Sequence, residues 1–124
     1  MNYKPSLAGP AATLFAVLLC VSLETTAESG HVVASVNRVM VTGNEMFGGC
    51  MAALSVDPQT VLPDCQSWWV TFSCSGAFTD PTSAYRLLDV AQLALATNKQ
   101  AYVFFRDDLK HNGYCFADRI DIAR

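Results

Sequence analysis

Four cysteines, Cys50, Cys65, Cys74 and Cys115, constrain this chain more than any other feature. An even count in a small exported domain reads as two disulfides, and two cross-links exclude most strand arrangements. A metal site is a poor alternative. No two of the four are spaced as C-x-x-C, and His31 and His111 stand alone. No cofactor is expected either.

The fifth cysteine, Cys20, sits in a different kind of segment. Lys4 is followed by the apolar run Leu14–Leu23 and then by Thr25-Thr26-Ala27. A basic start, about ten apolar residues and a small-residue end make a secretory signal, expected to be cut after Ala27. The run is too short for a membrane span, which takes about 20 apolar residues. Pro5 and Pro10 argue against a buried N-terminal helix. Leu18-Leu19 precedes Cys20 where lipid attachment would want small residues, so a lipid anchor at Cys20 is set aside. The expected location is secreted or periplasmic.

Hydrophobic residues make up 52% and charged ones 15%, which suits a packed core rather than a disordered chain. The net charge is −3, with no basic run for nucleic-acid phosphates. A glycan or a protein partner stays open.

Read in order, His31–Thr42 is rich in β-branched residues and reads as a strand, although Val32, Ser35, Asn37, Val39 and Val41 fit no single face. Glycines bracket a turn around Met46-Phe47. Cys50–Val56 is a second strand, stopped by Asp57-Pro58. After a loop over 58–67, Trp68–Ser75 alternates as a third strand. Trp68, Val70, Phe72 and Cys74 are expected in the core, and Trp69, Thr71 and Ser73 on the other face. Asp80-Pro81 opens a helix, as N-cap and first helical residue, and Asn98 closes it. Its expected apolar stripe is Ala84, Leu87, Leu88, Ala91 and Leu95, with Arg86, Asp89, Gln92 and Thr97 in water. Two last strands follow within Ala101–Ile122, turned by Asn112-Gly113, where both residues tolerate positive φ. Tyr102, Phe104, Ile120 and Ile122 are expected to share one apolar face.

The order β-β-β-α-β-β makes the chain mainly β with one helix. The economical architecture is an OB-type five-stranded Greek-key barrel plugged by the helix. A flat α+β sandwich is the competitor. The domain plan is a signal peptide, 1–27, and one OB-like domain, 28–124. In such a barrel Cys50, at the start of the second strand, lies beside Cys74, late in the antiparallel third. The starts of the third and fifth strands are also close, which favours Cys65–Cys115. Cys50–Cys65 with Cys74–Cys115 is the alternative, and sequence alone permits three connectivities.

These features carry a resemblance. A signal peptide, Cys50 opening one strand, Cys74 late in WWVTFSCS, and the helix SAYRLLDVAQLALATNKQ running straight into AYVFF resemble the B subunits of bacterial AB5 toxins of the pertussis-like and subtilase-cytotoxin group. The resemblance covers most of residues 31–122 and implies an OB fold, homo-oligomers and binding of cell-surface glycans. The ending KHNGYCFADRIDI is similar to small exported proteins of Gram-negative bacteria and implies no activity. The toxin family's sugar-contacting residues have no counterparts placed on this sequence.

The candidate residues therefore stand on their own chemistry. Asp107, Asp108, Lys110, His111 and Asn112 crowd the last turn. They read either as a solvated hairpin tip or as a recognition loop, of which Asp108, Lys110, His111 and Asn112 are the ligand-binding candidates. A hard cation held by the Asp107 and Asp108 carboxylates is the least favoured reading of this turn. Trp69 is the other candidate, for sugar stacking or an interface, unless loop 57–67 or the helix covers it. Strand four is apolar on both faces, which suits burial on both sides or contact with another subunit. Ser73, Ser75 and His111 lack a nucleophile-elbow context, so no enzyme is expected. The expected function is an exported, non-enzymatic binding module, glycan-binding and oligomeric. The alternative is a monomeric periplasmic accessory or inhibitor protein that binds another protein.

Overall fold

The computed structural model describes residues 2, 5–6, 8–10, 21–24, 26–43 and 45–124. Cys20 and most of the apolar run of the expected signal peptide lie outside them. Among the described residues the chain forms β1 (Ser29–Val41), β2 (Cys50–Leu54), β3 (Trp69–Thr71), α1 (Pro81–Thr97), β4 (Gln100–His111) and β5 (Tyr114–Ile122). The strands close into a barrel in the order β1-β2-β3-β5-β4, the expected OB-type arrangement. All neighbours are antiparallel except β3 and β5. Among the described residues no helix is long and apolar enough to cross a membrane.

β1 fits no single face because it carries a bulge. Val36 pairs with Leu54 but Arg38 pairs with Ala53, so Asn37 is an extra residue. Before the bulge Val32, Ala34 and Val36 point inward; after it Val39 packs against the core.

α1 is built as its caps dictate. Ser83 N–H donates to Asp80 Oδ1 at 2.9 Å, and Asn98 ends the helix at φ 51°. Its buried face is Ala84, Leu88, Ala91 and Ala94, with Leu87 and Val90 partly covered. Leu95 was expected on that face and is instead 37% exposed. The stripe is mostly alanine, which lets the helix lie close over β1, β2, β4 and β5.

Two facing assignments need correction. Tyr102 and Phe104 point outward, while Ala101, Val103 and Phe105 fill the barrel. Ile120 is buried opposite Val103, not beside Tyr102. Both faces of β4 are apolar, so alternation does not choose between them. The inward set places two small residues, Ala101 and Val103, beside Phe105, and a five-stranded interior already holding Phe72 takes that face of smaller total volume. Trp68, expected in the core, is 52% exposed. Its φ of 70° breaks the extended run, and β3 begins only at Trp69. Thr71 and Ser73, on the supposed outer face, are fully buried beside Val70 and Phe72.

The disulfides are Cys50–Cys74 and Cys65–Cys115, with Cα–Cα distances of 5.5 and 5.3 Å. The second braces the β3–β5 seam, where Thr71 and Phe116 are the one register pair. Gln66 N–H donates to Gly113 O at 2.9 Å beside it.

Candidate functional site

The outer surface of β1, β2 and β3 carries a small groove. Met40 pairs across with Met51, and Arg38 with Ala53, which in turn pairs with Trp69. Ala53 is small, so Arg38 reaches over it and places its guanidinium carbon 5.9 Å from the Trp69 ring centre. Met40, Phe47, Met51, Trp69 and Tyr114 enclose a concavity of about 160 Å3. Met51 forms a buried floor; the other four are half-buried and keep one face open.

The groove's end wall is Phe47, which meets Tyr114 edge-on at 5.8 Å. Phe47 sits at φ 56°, a sparsely populated conformation for an aromatic residue. Two bonds hold it. Its N–H donates to Asn112 Oδ1 at 3.0 Å, and its carbonyl accepts from Thr71 Oγ1 at 2.8 Å. Asn112, at φ 53° beside Gly113 at φ 85°, also makes the tight β4–β5 turn. One residue thus shapes the hairpin and fastens it to the β1–β2 loop.

His111 lies behind that wall. Its Nε2 is 2.9 Å from Ser73 Oγ, and its ring stacks on Phe78 at 4.2 Å. Phe78 N–H donates to the same Ser73 Oγ at 3.1 Å. Ser73 N–H donates to Thr71 Oγ1, which continues to the Phe47 carbonyl. Gly48, at φ 78°, leaves no room for a β-carbon between His111 and Thr71. Burial lowers the His111 pKa from the ordinary histidine value, and the charge of Glu45 partly offsets this. The structure brings Ser73 and His111 together, but Ser73 is fully buried. The pair joins the β4–β5 hairpin to the segment after β3.

The remaining candidates lie elsewhere. Asp108 is exposed and bonded by both oxygens to Arg106, whose hydrogen bond holds its carboxyl below the ordinary range. Asp107 accepts from Glu28 N–H at 2.8 Å. Lys110 is half-buried opposite Cys115. Among the described residues no three His, Cys, Asp or Glu side chains gather as a metal site. Of the sequence candidates, then, Trp69 lines the groove, Asn112 and His111 support it, and Asp108 and Lys110 do not line it. Met40, Met51, Tyr114 and Arg38 leave no groove signal in the sequence, because their meeting depends on strand register. Phe47 did leave a signal: an aromatic residue inside a glycine-flanked turn.

A larger concavity, about 360 Å3, lies between the start of α1 and the β4–β5 hairpin. Arg86, Arg106 and Asp118 line it, with Asp108 already on Arg106. The smaller groove is the better candidate. It is aromatic, and both loops that frame an OB-type binding face close around it. No protein-family model, curated protein or solved structure matches the chain.

Proposed function

We propose that this protein is an exported, non-enzymatic binding module that seats a glycan in the groove of Met40, Phe47, Met51, Trp69 and Tyr114. The observation that carries the reading is the half-open Trp69 ring, backed by Arg38, on the β2–β3 face between two loops tied together by Asn112. Aromatic rings take the apolar C–H faces of sugars, and OB-type barrels bind oligosaccharides on this face. Two disulfides suit an oxidising compartment, secreted or periplasmic. The layout shared with AB5 toxin B subunits supports the same reading at the level of fold alone. A glycan array probed with wild type and with Trp69→Ala tests it. Signal on a defined glycan group that disappears in the variant is expected; a blank array with the folded protein defeats it.

A second reading rests on another surface. Val33 and Tyr102 pair across β1 and β4 and are exposed, beside a stack of His31 on Phe104 at 5.2 Å with Arg119 4.6 Å from the same ring. Such a face suits contact with a protein, either another copy of the chain or an exported partner. Light scattering separates the two: a single-subunit mass removes the homo-oligomer.

A further inference from the structure

The contacts behind the groove make His111 the meeting point of three loops. The β1–β2 loop contributes Gly48 and, through Thr71, the Phe47 carbonyl. The segment after β3 contributes Ser73 and Phe78. The β4–β5 hairpin contributes His111 itself, next to Asn112, which holds the Phe47 N–H.

We propose that His111 is a proton-operated latch that keeps the Phe47 wall of the groove closed when its ring is neutral and loosens that wall when the ring is protonated. Regulation of the groove is an elaboration of the binding function proposed above and rests on it; the latch itself is a property of the fold.

Hydrogen-bond bookkeeping sets the direction. Ser73 Oγ accepts the Phe78 N–H, so its own proton is free to point at His111 Nε2. A neutral ring with its proton on Nδ1 accepts it. Protonation puts a second proton on Nε2, aimed at the same oxygen. The buried hydroxyl proton then loses its acceptor, and a charge is left in a partly buried site, a cost that contact with the Phe78 face only partly offsets. Among the described residues, Glu45 on the β1–β2 loop is the charged group that acts on His111 from another element. Glu45 is exposed and attracts the cation. The segment after β3 presents uncharged Ser73 and Phe78, β5 presents Tyr114 as the cross-strand partner, and Lys110 adjoins on β4. The attraction of Glu45 partly offsets the cost of the charge in place, and the stranded Ser73 hydroxyl proton is what favours release of the ring.

The test is amide hydrogen exchange and NMR on the disulfide-bonded protein at about pH 7.5 and about pH 5, on either side of the ordinary histidine range. Protection of the Phe47 and Phe78 N–H groups should fall roughly tenfold at the lower pH, with a midpoint matching titration of the His111 ring. In a Trp68→Phe background, Trp69 emission should change with the same midpoint. His111→Gln should abolish the pH response. Should that variant fail to fold, the midpoint comparison in wild type decides. Unchanged protection while His111 titrates, or an equal pH response in His111→Gln, overturns the latch. A blank glycan array would defeat the binding reading and leave these outcomes as they are.

Discussion

Removing the Cys65–Cys115 disulfide should cost more stability than removing Cys50–Cys74, although both half-cystine pairs are buried. The Cys65–Cys115 bridge closes a separation of 50 residues and Cys50–Cys74 one of 24. Loop-closure entropy then gives about 4 kcal/mol for the longer loop and about 3.5 kcal/mol for the shorter. Position enlarges the contrast. The longer bridge braces the parallel β3–β5 seam, which has a single register pair, whereas β2 and β3 share three. The perturbation is Cys65→Ala with Cys115→Ala, chosen so that no unpaired hydroxyl is buried. Against a typical stability of about 5–15 kcal/mol, a loss of about 4 kcal/mol is large. It should lower the midpoint of guanidinium unfolding by about 1 M or more. Hydrogen exchange should show the seam opening first, at Gln66 N–H and the β3 amides. A loss below about 1 kcal/mol, with exchange no faster at the seam than elsewhere, would refute the argument that this bridge closes the barrel.

Other consequences are simpler to check. Gly48→Ala forces a side chain into φ 78° and puts its β-carbon 2.6 Å from Thr71 Oγ1; thermal or chemical unfolding should show a loss of about 2 kcal/mol or more. Asp80→Asn removes a titrating N-cap. The Ser83 hydrogen bonds hold the Asp80 carboxyl below its ordinary value, so its contribution is present above the unfolded-state pKa and lost as pH falls through the folded one. The variant should show a shallower acid-side fall in stability, and an identical acid profile would contradict that. His111 has the opposite protonation chemistry with the same direction. Its lowered pKa means that the unfolded chain takes up a proton first, so wild type should lose stability as pH drops from the ordinary histidine value toward the folded one. His111→Gln should lack that component in pH-dependent unfolding curves. Trp69→Ala should weaken glycan binding by about 2 kcal/mol, roughly 30-fold, in a titration.

The parts of this fold that are legible in the sequence are those written in local chemistry. Asp80-Pro81 and Asn98 mark the ends of α1 because capping depends on a few adjacent residues. Asn112-Gly113 marks its turn because both positions need positive φ. The disulfide pairing follows from strand order, since an antiparallel second and third strand bring Cys50 and Cys74 together. Side-chain facing was less legible. β4 offers aromatic and aliphatic residues on both faces, and only the volume of the closed barrel selects Ala101 and Val103. Trp68 departs from alternation through its backbone conformation, which neighbouring residues do not announce. Asn37 shifts the phase of β1 by one residue. The groove itself was half-visible. Trp69 was a candidate on its own, but Met40, Met51 and Arg38 reach it only through cross-strand register, and Tyr114 through closure of the parallel seam. The contact of His111 with Ser73 spans 38 residues and needs three loops to converge.

The central claim is the location of the binding site, and amide-shift mapping tests it most directly. An isotope-labelled sample would be titrated with a glycan selected on the array. The Trp69 indole N–H and the backbone amides of Met40, Phe47, Met51 and Tyr114 should shift together and saturate with one affinity. Saturable shifts confined to Tyr102, Phe104 and Arg119, with the Trp69 indole unmoved, would place binding on the opposite face and contradict it.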